Sequence, residues 1–335
     1  MAKKIKWIIV SLFVPILLIA GYYGYSIITF GMQIQKGAKE MGYSEVKQDN
    51  GGKEQVDKEV IPEWEGKERV NILLLGADGR EEGDHGRSDT IMVLSIDPVS
   101  KKAHLFSILR DTYVEIPGHG HSRINSAFAY GGPELTMKVV GNLMGLPIHY
   151  YFYVELDSFI ALVDAIGGVD LYVEKDMKYT DTADKQEYQI DLKEGMQHLD
   201  GNKALQYVRF RKDALSDYAR TERQRKFLKA VADKMQSTST LVNVPNILNK
   251  IAPYIETNMD LSSMIKLAVL GYKIKANSMV TEQIPPMDLL REETINGAAV
   301  LTVDQKRLRA FIEGLFQADE VGPGHTEEPL APNPR

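Results

Sequence analysis

The 335-residue sequence contains no cysteine. This absence excludes disulfides, thiolate metal sites, a cysteine nucleophile and a lipoprotein anchor. A surplus of positive charge is also missing, because the formal net charge is -6 at pH 7. No global basic field therefore favours nucleic acid as a partner, and the sequence predicts none. Any anionic ligand must be bound by a local cluster of cationic side chains.

Several catalytic signatures are absent as well. The chain has no G-x-x-x-x-G-K-[ST] phosphate loop, no H-E-x-x-H zinc motif and no G-x-S-x-G serine motif. His119 and His121 flank a single glycine and offer a metal site as one interpretation. They lie in a Gly–Pro turn without a nearby third ligand, so the turn interpretation is favoured.

An uncharged stretch, Trp7–Phe30, follows three lysines within the first six residues. A helix needs about 20 apolar residues to cross a bilayer, and leading lysines stay in the cytoplasm. A cleaved signal peptide is the alternative, but the small-x-small site that it needs is poorly matched because Leu18 is large. The stretch predicts a single-pass type II protein of the cell membrane with an extracytoplasmic domain.

Composition divides the chain into five predicted segments. They are a cytoplasmic tip (1–6), a transmembrane signal anchor (7–30), a polar stalk (31–68), a catalytic domain (69–317) and a disordered tail (318–335). Apolar runs within the domain predict strands at Val70–Gly76, Thr90–Asp97, Ala103–Leu109, Tyr150–Val154 and Val169–Val173. The short link after Thr90–Asp97 predicts a hairpin with the next strand.

Helical periodicity separates these strands. The predicted helices are Pro133–Met144, Leu156–Ile166, Asp200–Val208, Tyr218–Met235, Leu261–Ile274 and Val303–Phe316, with Asp200 as an N-cap. Asp176–Gln186 is predicted to be polar turn. Strands mixed with helices favour an α/β fold in which a mixed central β-sheet is flanked by helices, behind the N-terminal transmembrane helix.

Charged side chains gather at the ends of the predicted strands. Asp78 and Arg80 follow the first strand, Arg87 and Asp89 precede the second, and Arg110 ends the third. Ligand sites in α/β folds lie at strand ends. We therefore expect these five side chains to converge on one site.

Two further arginine sets come from later segments. Arg209 and Arg211 are two positions apart, so in an extended segment they would share a face. Arg220, Arg223 and Gln224 fall at i, i+3 and i+4 of a helix. Guanidinium groups bind phosphate oxygens in pairs, and carboxylates bind Mg²⁺. Each arginine alone is more typical of a surface ion pair, but the coincidence of three arginine sets with strand-end aspartates indicates a pyrophosphate site with a divalent cation.

With these residues the sequence resembles the LytR–CpsA–Psr family over roughly 69–235. The resemblance rests on Asn71–Arg80, Arg87–Asp97, Ser107–Gly120, Ile124–Leu135, Phe159–Val173, His198–Arg211 and Asp217–Ala230. Leu109 departs from the proline usual before Arg-Asp, and Ala77 and Gly79 replace common serines. None of these departures is at a charged position.

The resemblance implies an α-β-α sandwich and a Mg²⁺-dependent (or Mn²⁺-dependent) phosphotransferase. The donor would be a glycopolymer such as teichoic acid on undecaprenyl pyrophosphate, with its lipid in a tunnel between sheet and helices. The acceptor would be the C6 hydroxyl of N-acetylmuramic acid in peptidoglycan. Catalysis would involve Asp78, Asp89 and Arg110, with the metal on the two aspartates. The pyrophosphate would be bound by Arg80, Arg87, Arg110, Arg209, Arg211, Arg220, Arg223 and Gln224.

Two other interpretations fit the same residues. A lipid-pyrophosphate hydrolase would use water in place of the acceptor hydroxyl. A non-catalytic regulator of envelope assembly would bind polyprenyl phosphates without turnover. The sequence does not separate these three functions.

Overall fold

The computed structural model describes residues 21–34, 64–77, 88–180, 189–212, 216–275 and 278–320. At its centre lies a five-stranded sheet in the order β11-β3-β2-β1-β6. The strands are β1 (Val70–Ala77), β2 (Ser88–Ile96), β3 (Ala103–Ile108), β6 (Tyr150–Glu155) and β11 (Val280–Ile284). The predicted α/β class with a mixed central sheet is confirmed, because β1 and β2 pair antiparallel whereas β1 and β6 pair parallel.

The first three strands form where the apolar runs predict them. β2 and β3 are antiparallel neighbours joined by a tight turn, so the predicted hairpin is confirmed. Along each strand, successive side chains lie on opposite faces of the sheet, as β1 shows. Leu73 and Leu75 face one hydrophobic core, and Ile72 packs in a second core on the other face.

Helices cover both faces of this sheet. One face carries α2 (Ser126–Met144) and α9 (Gln305–Glu320). On the other face lie α3 (Leu156–Ala165), α4 (Gly201–Arg209), α5 (Ser216–Met235), α7 (Val244–Ile251) and α8 (Leu261–Lys273), with α6 (Thr238–Val242) preceding α7. The six predicted helices are all present, with ends shifted by a few residues. The Asp200 side chain accepts from Lys203 N as the predicted N-cap.

The α2 helix begins seven residues earlier than predicted and is broken inside. Gly131 and Gly132 have non-helical backbone angles, and Gly132 lies at φ +62°, a conformation that favours glycine. Ser126–Tyr130 therefore forms a separate helical turn ahead of the predicted segment.

Four two-stranded sheets accompany the main sheet. They pair β4 (Tyr113–Ile116) with β5 (Gly120–Arg123), β7 (Val169–Val173) with β10 (Gly195–Leu199), β8 (Met177–Tyr179) with β9 (Ile190–Leu192), and β12 (Leu290–Ile295) with β13 (Ala298–Val303). In three of them the paired strands are consecutive hairpin strands, whereas β8 and β9 lie between β7 and β10 in the chain. The prediction of turn throughout Asp176–Gln186 is wrong at β8. This strand is short and polar on its exposed side, so its apolar signal is a single buried methionine.

Both ends of the predicted stalk belong to the folded body. Residues 21–34 form a helix, α1, whose Phe30 and Ile34 pack against α7 and the turn that follows it. Trp64 is buried beside α8. Residues 35–63, the middle of the predicted stalk, lie outside the described residues.

The predicted anchor is described only over residues 21–30, within α1. There Ser26 Oγ donates to the Pro245 carbonyl at 3.0 Å, and Tyr23 donates to Val242 at 2.6 Å. None of the helices in the described ranges has the length and apolar composition that a bilayer crossing requires. The transmembrane anchor therefore stays a prediction.

The C-terminal helix extends past the predicted start of the tail. α9 continues to Glu320, so residues 318–320 are helical rather than disordered, and 321–335 lie outside the description. Asp319 explains the extra turn because its carboxylate lies 2.7 Å from His104 Nε2 and 3.4 Å from Lys102 Nζ. These contacts join the end of α9 to β3 and its preceding turn.

A buried carboxyl group, Glu256, lies against the edge of β6. Its backbone pairs with Tyr153, and its Oε1 accepts from the Tyr151 hydroxyl at 3.0 Å. Burial raises the pKa of Glu256 to about 7, with the charges of Glu134 and Glu155 acting in the same direction. Folding therefore favours the protonated carboxyl group.

This shift predicts a pH-dependent stability. The folded protein binds more protons than the unfolded chain between pH 4.5 and about 7, so the free energy of unfolding falls as pH rises through that window. Glu256→Gln keeps the acceptor for Tyr151 and removes the charge. We expect it to raise the free energy of unfolding by about 3 kcal/mol at pH 8 and by under about 1 kcal/mol at pH 5.

Thermal unfolding at the two pH values measures this difference. Glu292→Gln is the matched control, because Glu292 is exposed on β12. Equal effects of Glu256→Gln at pH 5 and pH 8 would count against a raised pKa in the folded protein.

Candidate functional site

A β-bulge presents Asp89 at the end of β2. Ser88 pairs with Ala77 and Thr90 pairs with Gly76, so Asp89 has no partner on β1. Such a bulge twists a strand and re-aims its side chains. The Ser88 hydroxyl stabilises it by donating to the Thr90 carbonyl at 2.7 Å. Both the carboxylate and the carbonyl of Asp89 thereby become available to side chains from other elements.

Three arginines surround Asp89. Arg110 Nη1 lies 2.5 Å from Asp89 Oδ1, and Arg211 Nη2 lies 3.2 Å from Oδ2. Arg220 Nη2 donates to the Asp89 carbonyl at 3.0 Å. Burial opposes the charge of Arg110, but the hydrogen bond that it donates to Asp89, together with the negative charges of Asp89, Asp111 and Asp217, raises the Arg110 pKa. The structure thus brings together residues from β2, the end of β3, the α4–α5 connection and α5.

Helix α5 supplies a further pair of contacts. Gln224 Nε2 donates to Thr90 Oγ1 at 2.9 Å, one turn after Arg220. Asp217 Oδ1 lies 2.6 Å from Arg220 Nη2, and burial raises the Asp217 pKa despite the charges of Arg110 and Arg211. Asp217 was missed in the sequence, where its i, i+3 spacing to Arg220 was the available signal.

Arg223 points away from this group. Its Nε lies 2.7 Å from Glu174 Oε1, and its Nη1 donates to the Phe210 carbonyl at 2.8 Å. The predicted shared face of Arg220, Arg223 and Gln224 is therefore split. Phe210 lies between Arg209 and Arg211, so Arg223 fixes the segment that carries those two arginines.

Arg209 is the last residue of α4, not part of an extended segment as predicted. The extended backbone begins at Phe210, whose ψ is 128°. Arg209 and Arg211 nevertheless line the same cavity. The change of direction at Phe210 makes this convergence possible.

A chain of ion pairs continues from Arg110 to the β4–β5 hairpin. Arg110 Nε lies 3.7 Å from Asp111 Oδ2, and Arg123 Nη1 lies 3.0 Å from Asp111 Oδ1. Within the described ranges, neither Arg110 Nε nor Arg220 Nε has a hydrogen-bond acceptor although both are buried. A buried donor without an acceptor costs free energy, so an anionic ligand that accepted hydrogen bonds from these groups would stabilise the site.

A cavity of about 710 Å³ opens beside Asp89. Its polar end is formed by Asp89, Thr90, Arg209, Arg211, Arg220 and Gln224. The remainder is lined mainly by apolar side chains from the sheet and helices, among them Leu74, Met92, Phe152, Phe159, Leu228, Val231 and Ile247. The site can accommodate a long apolar chain that ends in an anionic group.

Three of the predicted site residues are not placed. Asp78, Arg80 and Arg87 lie outside the described residues. Asp89 is the one described member of the predicted metal pair, and both of its oxygens face guanidinium groups. The described part of the chain holds no group of three or more His, Cys, Asp or Glu side chains able to bind a metal ion. Of the two predicted Mg²⁺ ligands, the described residues therefore supply Asp89 alone.

Comparison with known sequences places the chain in a family. The model of the LytR_cpsA_psr family matches residues 28–317, which include every described residue of the site. This chain belongs to the LytR–CpsA–Psr family. The match begins within α1 and ends within α9, so it extends on both sides of the motif-rich segment that carries the resemblance in the sequence.

Similar proteins of this family have been named or solved. The chain is 34% identical over 287 residues to the polyisoprenyl-teichoic acid–peptidoglycan teichoic acid transferase TagU of Bacillus anthracis, covering 85% of this chain and 88% of that protein. B. subtilis TagV has a TM-score of 0.64 at 28% identity, over 75% of this chain and 98% of that one. YwtF (TagT), solved with bound octaprenyl pyrophosphate lipid, has a TM-score of 0.57 at 28% identity, over 78% and 94%.

Proposed function

We propose that this LytR–CpsA–Psr protein is a phosphotransferase that moves an anionic glycopolymer from undecaprenyl pyrophosphate to the C6 hydroxyl of N-acetylmuramic acid in peptidoglycan. The observation that carries the proposal is the cavity, whose apolar body ends at arginines around Asp89. A lipid pyrophosphate combines the long apolar chain and the anionic group that such a site fits. The name of the B. anthracis relative TagU, a teichoic acid transferase, and the octaprenyl pyrophosphate bound to YwtF support the same chemistry.

The reaction requires one bond to form and one to break. The acceptor oxygen attacks the sugar-linked phosphorus, and the bond from that phosphorus to the bridging oxygen breaks. Undecaprenyl phosphate leaves with the bond electrons, and the acceptor proton passes to a carboxylate of the site. A phosphodiester then joins polymer and peptidoglycan.

The chain's own residues contribute mainly position and charge. Arg211 and Arg220 lie at the polar end of the cavity, where a pyrophosphate would meet their guanidinium groups. Charge neutralisation and alignment dominate phosphoryl transfer, so no covalent nucleophile is required. Asp89 orients Arg110 and Arg211 and is the candidate carboxylate for the proton.

Mg²⁺ (or Mn²⁺) is part of the proposal. Asp89 and Asp78 would hold the ion, and Asp89 would give up one of its arginine contacts to do so. The ion would supply positive charge to neutralise the pyrophosphate. Chelation with EDTA should abolish transfer, and added Mg²⁺ should restore it. Full transfer in EDTA would contradict the metal requirement without affecting the arginine site.

Product analysis tests the function itself. Full-length protein in detergent would be mixed with a lipid-pyrophosphate-linked saccharide and un-crosslinked peptidoglycan strands, and the products identified by mass spectrometry. We expect saccharide joined through phosphate to muramic acid. Free phosphorylated saccharide alone would identify a hydrolase, and no turnover together with lipid binding would favour a regulator.

We also propose that the protein is anchored in the cell membrane by its N-terminal segment, with the domain outside the cytoplasm. α1 carries Tyr25, Ile28 and Met32 on its exposed side, and α8 exposes Ile265, Val269 and Tyr272 at i, i+4 and i+7. Exposed apolar rows of this kind fit a lipid surface.

The absence of native cysteine allows a clean test of this orientation. A nitroxide on Val269→Cys in the full-length protein in vesicles should be accessible to oxygen dissolved in lipid. Ala310→Cys is the control, because Ala310 is exposed on α9 across the sheet. Equal oxygen accessibility at both positions would contradict contact between α8 and the bilayer.

A further inference from the structure

Two aromatic pairs lie on the β4–β5 hairpin and the first turn of α2. The rings of His119 and Tyr130 stack at 4.3 Å between centroids with 4° between their planes. Tyr113 and His121 lie 5.7 Å apart at 32°. We call these four residues the aromatic platform.

Packing does not account for the platform. None of its members belongs to the hydrophobic core on this side of the sheet, although their neighbours Val114 and Phe128 do. Tyr130 is 49% exposed, and both histidines are exposed. The chain therefore keeps a stacked ring pair at the surface, beside a charged site, where it contributes little to burial.

Backbone hydrogen bonds join the residues just before α2, close to the platform, to the segment that contains Arg110. Asn125 N donates to the Arg110 carbonyl at 3.3 Å, and Ile124 N donates to the Thr112 carbonyl at 2.8 Å. Tyr130 follows Asn125 by five residues, about 8 Å along a helix. The ion pairs from Arg110 through Asp111 to Arg123 reach the same hairpin.

The core beside the platform and most of the cavity lie on opposite faces of the sheet, and Leu75 near the end of β1 is shared by both. Val114 and Phe128, beside the platform, pack in the core that contains Leu73, whereas Leu74, the next residue of β1, lines the cavity. In an in-line displacement the attacking and leaving oxygens are on opposite sides of phosphorus. If the lipid phosphate leaves toward the cavity, the acceptor approaches from the side of the platform.

We propose that the aromatic platform binds pyranose units of the acceptor glycan strand. This rests on the proposed transferase function and adds the acceptor subsite to it. The C–H face of a sugar ring packs against an exposed aromatic face, while hydroxyl groups reach polar side chains at the rim. Arg123 and Glu115 lie on the same hairpin and supply such polar groups.

Steady-state transfer by the full-length protein tests the proposal when the acceptor concentration is varied. Tyr130→Ala should raise the KM for un-crosslinked peptidoglycan strands about tenfold and leave kcat and the donor KM unchanged. Tyr130→Phe should retain the wild-type acceptor KM. Tyr172→Ala is the matched control, because Tyr172 is a similarly exposed tyrosine on β7.

Binding of peptidoglycan strands, measured without the lipid donor, tests the platform independently of the proposed transferase activity. Calorimetry should show weaker binding by Tyr130→Ala than by the wild type, whether or not transfer occurs. Transfer with an unchanged acceptor KM in Tyr130→Ala would overturn the platform and leave the transferase intact. Tyr130-dependent binding without transfer by the wild type would support the platform alone, and a rise in donor KM would assign the rings to the donor saccharide instead.

Discussion

Replacing Arg110 with alanine should lower kcat/KM for polymer transfer by about a hundredfold to a thousandfold. Arg110 contacts the carboxylate of Asp89, and through Asp111 it is also joined to Arg123 of the β4–β5 hairpin. Its loss removes a fixed positive charge next to the reacting phosphate and leaves Asp89 with a weaker set of partners. Donor binding and turnover should therefore both decline.

Asp89→Asn separates binding from catalysis at the same contact. Asparagine keeps the shape of the side chain and removes the negative charge, so repulsion of the pyrophosphate decreases. We expect transfer to fall by at least about a hundredfold while binding of the lipid donor is retained.

Arg291→Ala is the matched control for Arg110→Ala, because Arg291 is exposed on β12. Thermal unfolding of each variant checks that the fold is retained. Wild-type transfer by a folded Asp89→Asn or Arg110→Ala protein would remove the catalytic assignment of this group.

Filling the apolar cavity should abolish binding of long-chain donors. Val231 lines the cavity from α5, so Val231→Trp places an indole ring in the space for the lipid. Each buried methylene group contributes about 0.8 kcal/mol, so exclusion of one five-carbon isoprene unit costs about 4 kcal/mol and weakens binding about a thousandfold. A donor with a short prenyl chain should bind the variant and the wild type equally.

Val99→Trp provides the control for bulk and hydrophobicity. Val99 is 80% exposed in the turn between β2 and β3 and does not line the cavity. Affinity for octaprenyl pyrophosphate, measured by calorimetry, distinguishes the two variants. Unchanged affinity in Val231→Trp would show that the lipid binds elsewhere.

Strong local patterns made much of the central sheet predictable. Val70–Ala77 is a nearly continuous apolar run, and such runs form buried strands. β11 was missed because its sequence, VTEQI, alternates weakly and includes a glutamate and a glutamine. β12 has four consecutive exposed residues and, among the described strands, pairs with β13 alone, so it has no core-facing pattern.

The candidate site was predictable in composition but not in geometry. The convergence of Asp89, Arg110, Arg211 and Arg220 follows from their places at strand and helix ends. The bulge at Asp89 depends on a register shift between β1 and β2, which the period of a single strand does not encode.

Tertiary contacts determine the positions and the burial of the other residues of the site. The position of Arg223 is set by Glu174, which is 49 residues away in sequence. Asp217 became a candidate because it is half-buried beside arginines, and its i, i+3 spacing predicts the contact with Arg220 but not this burial. The apolar residues along the cavity have the composition of an ordinary core, and the space between them appears only in three dimensions.

The central claim is that one continuous site holds the lipid tail and the pyrophosphate of the donor. A crystal structure of the protein with bound octaprenyl pyrophosphate tests it most directly. We predict that the prenyl chain fills the cavity beside Val231, with phosphate oxygens on Arg211 and Arg220. A prenyl chain outside the cavity, or a pyrophosphate remote from Asp89 and its arginines, would contradict the account.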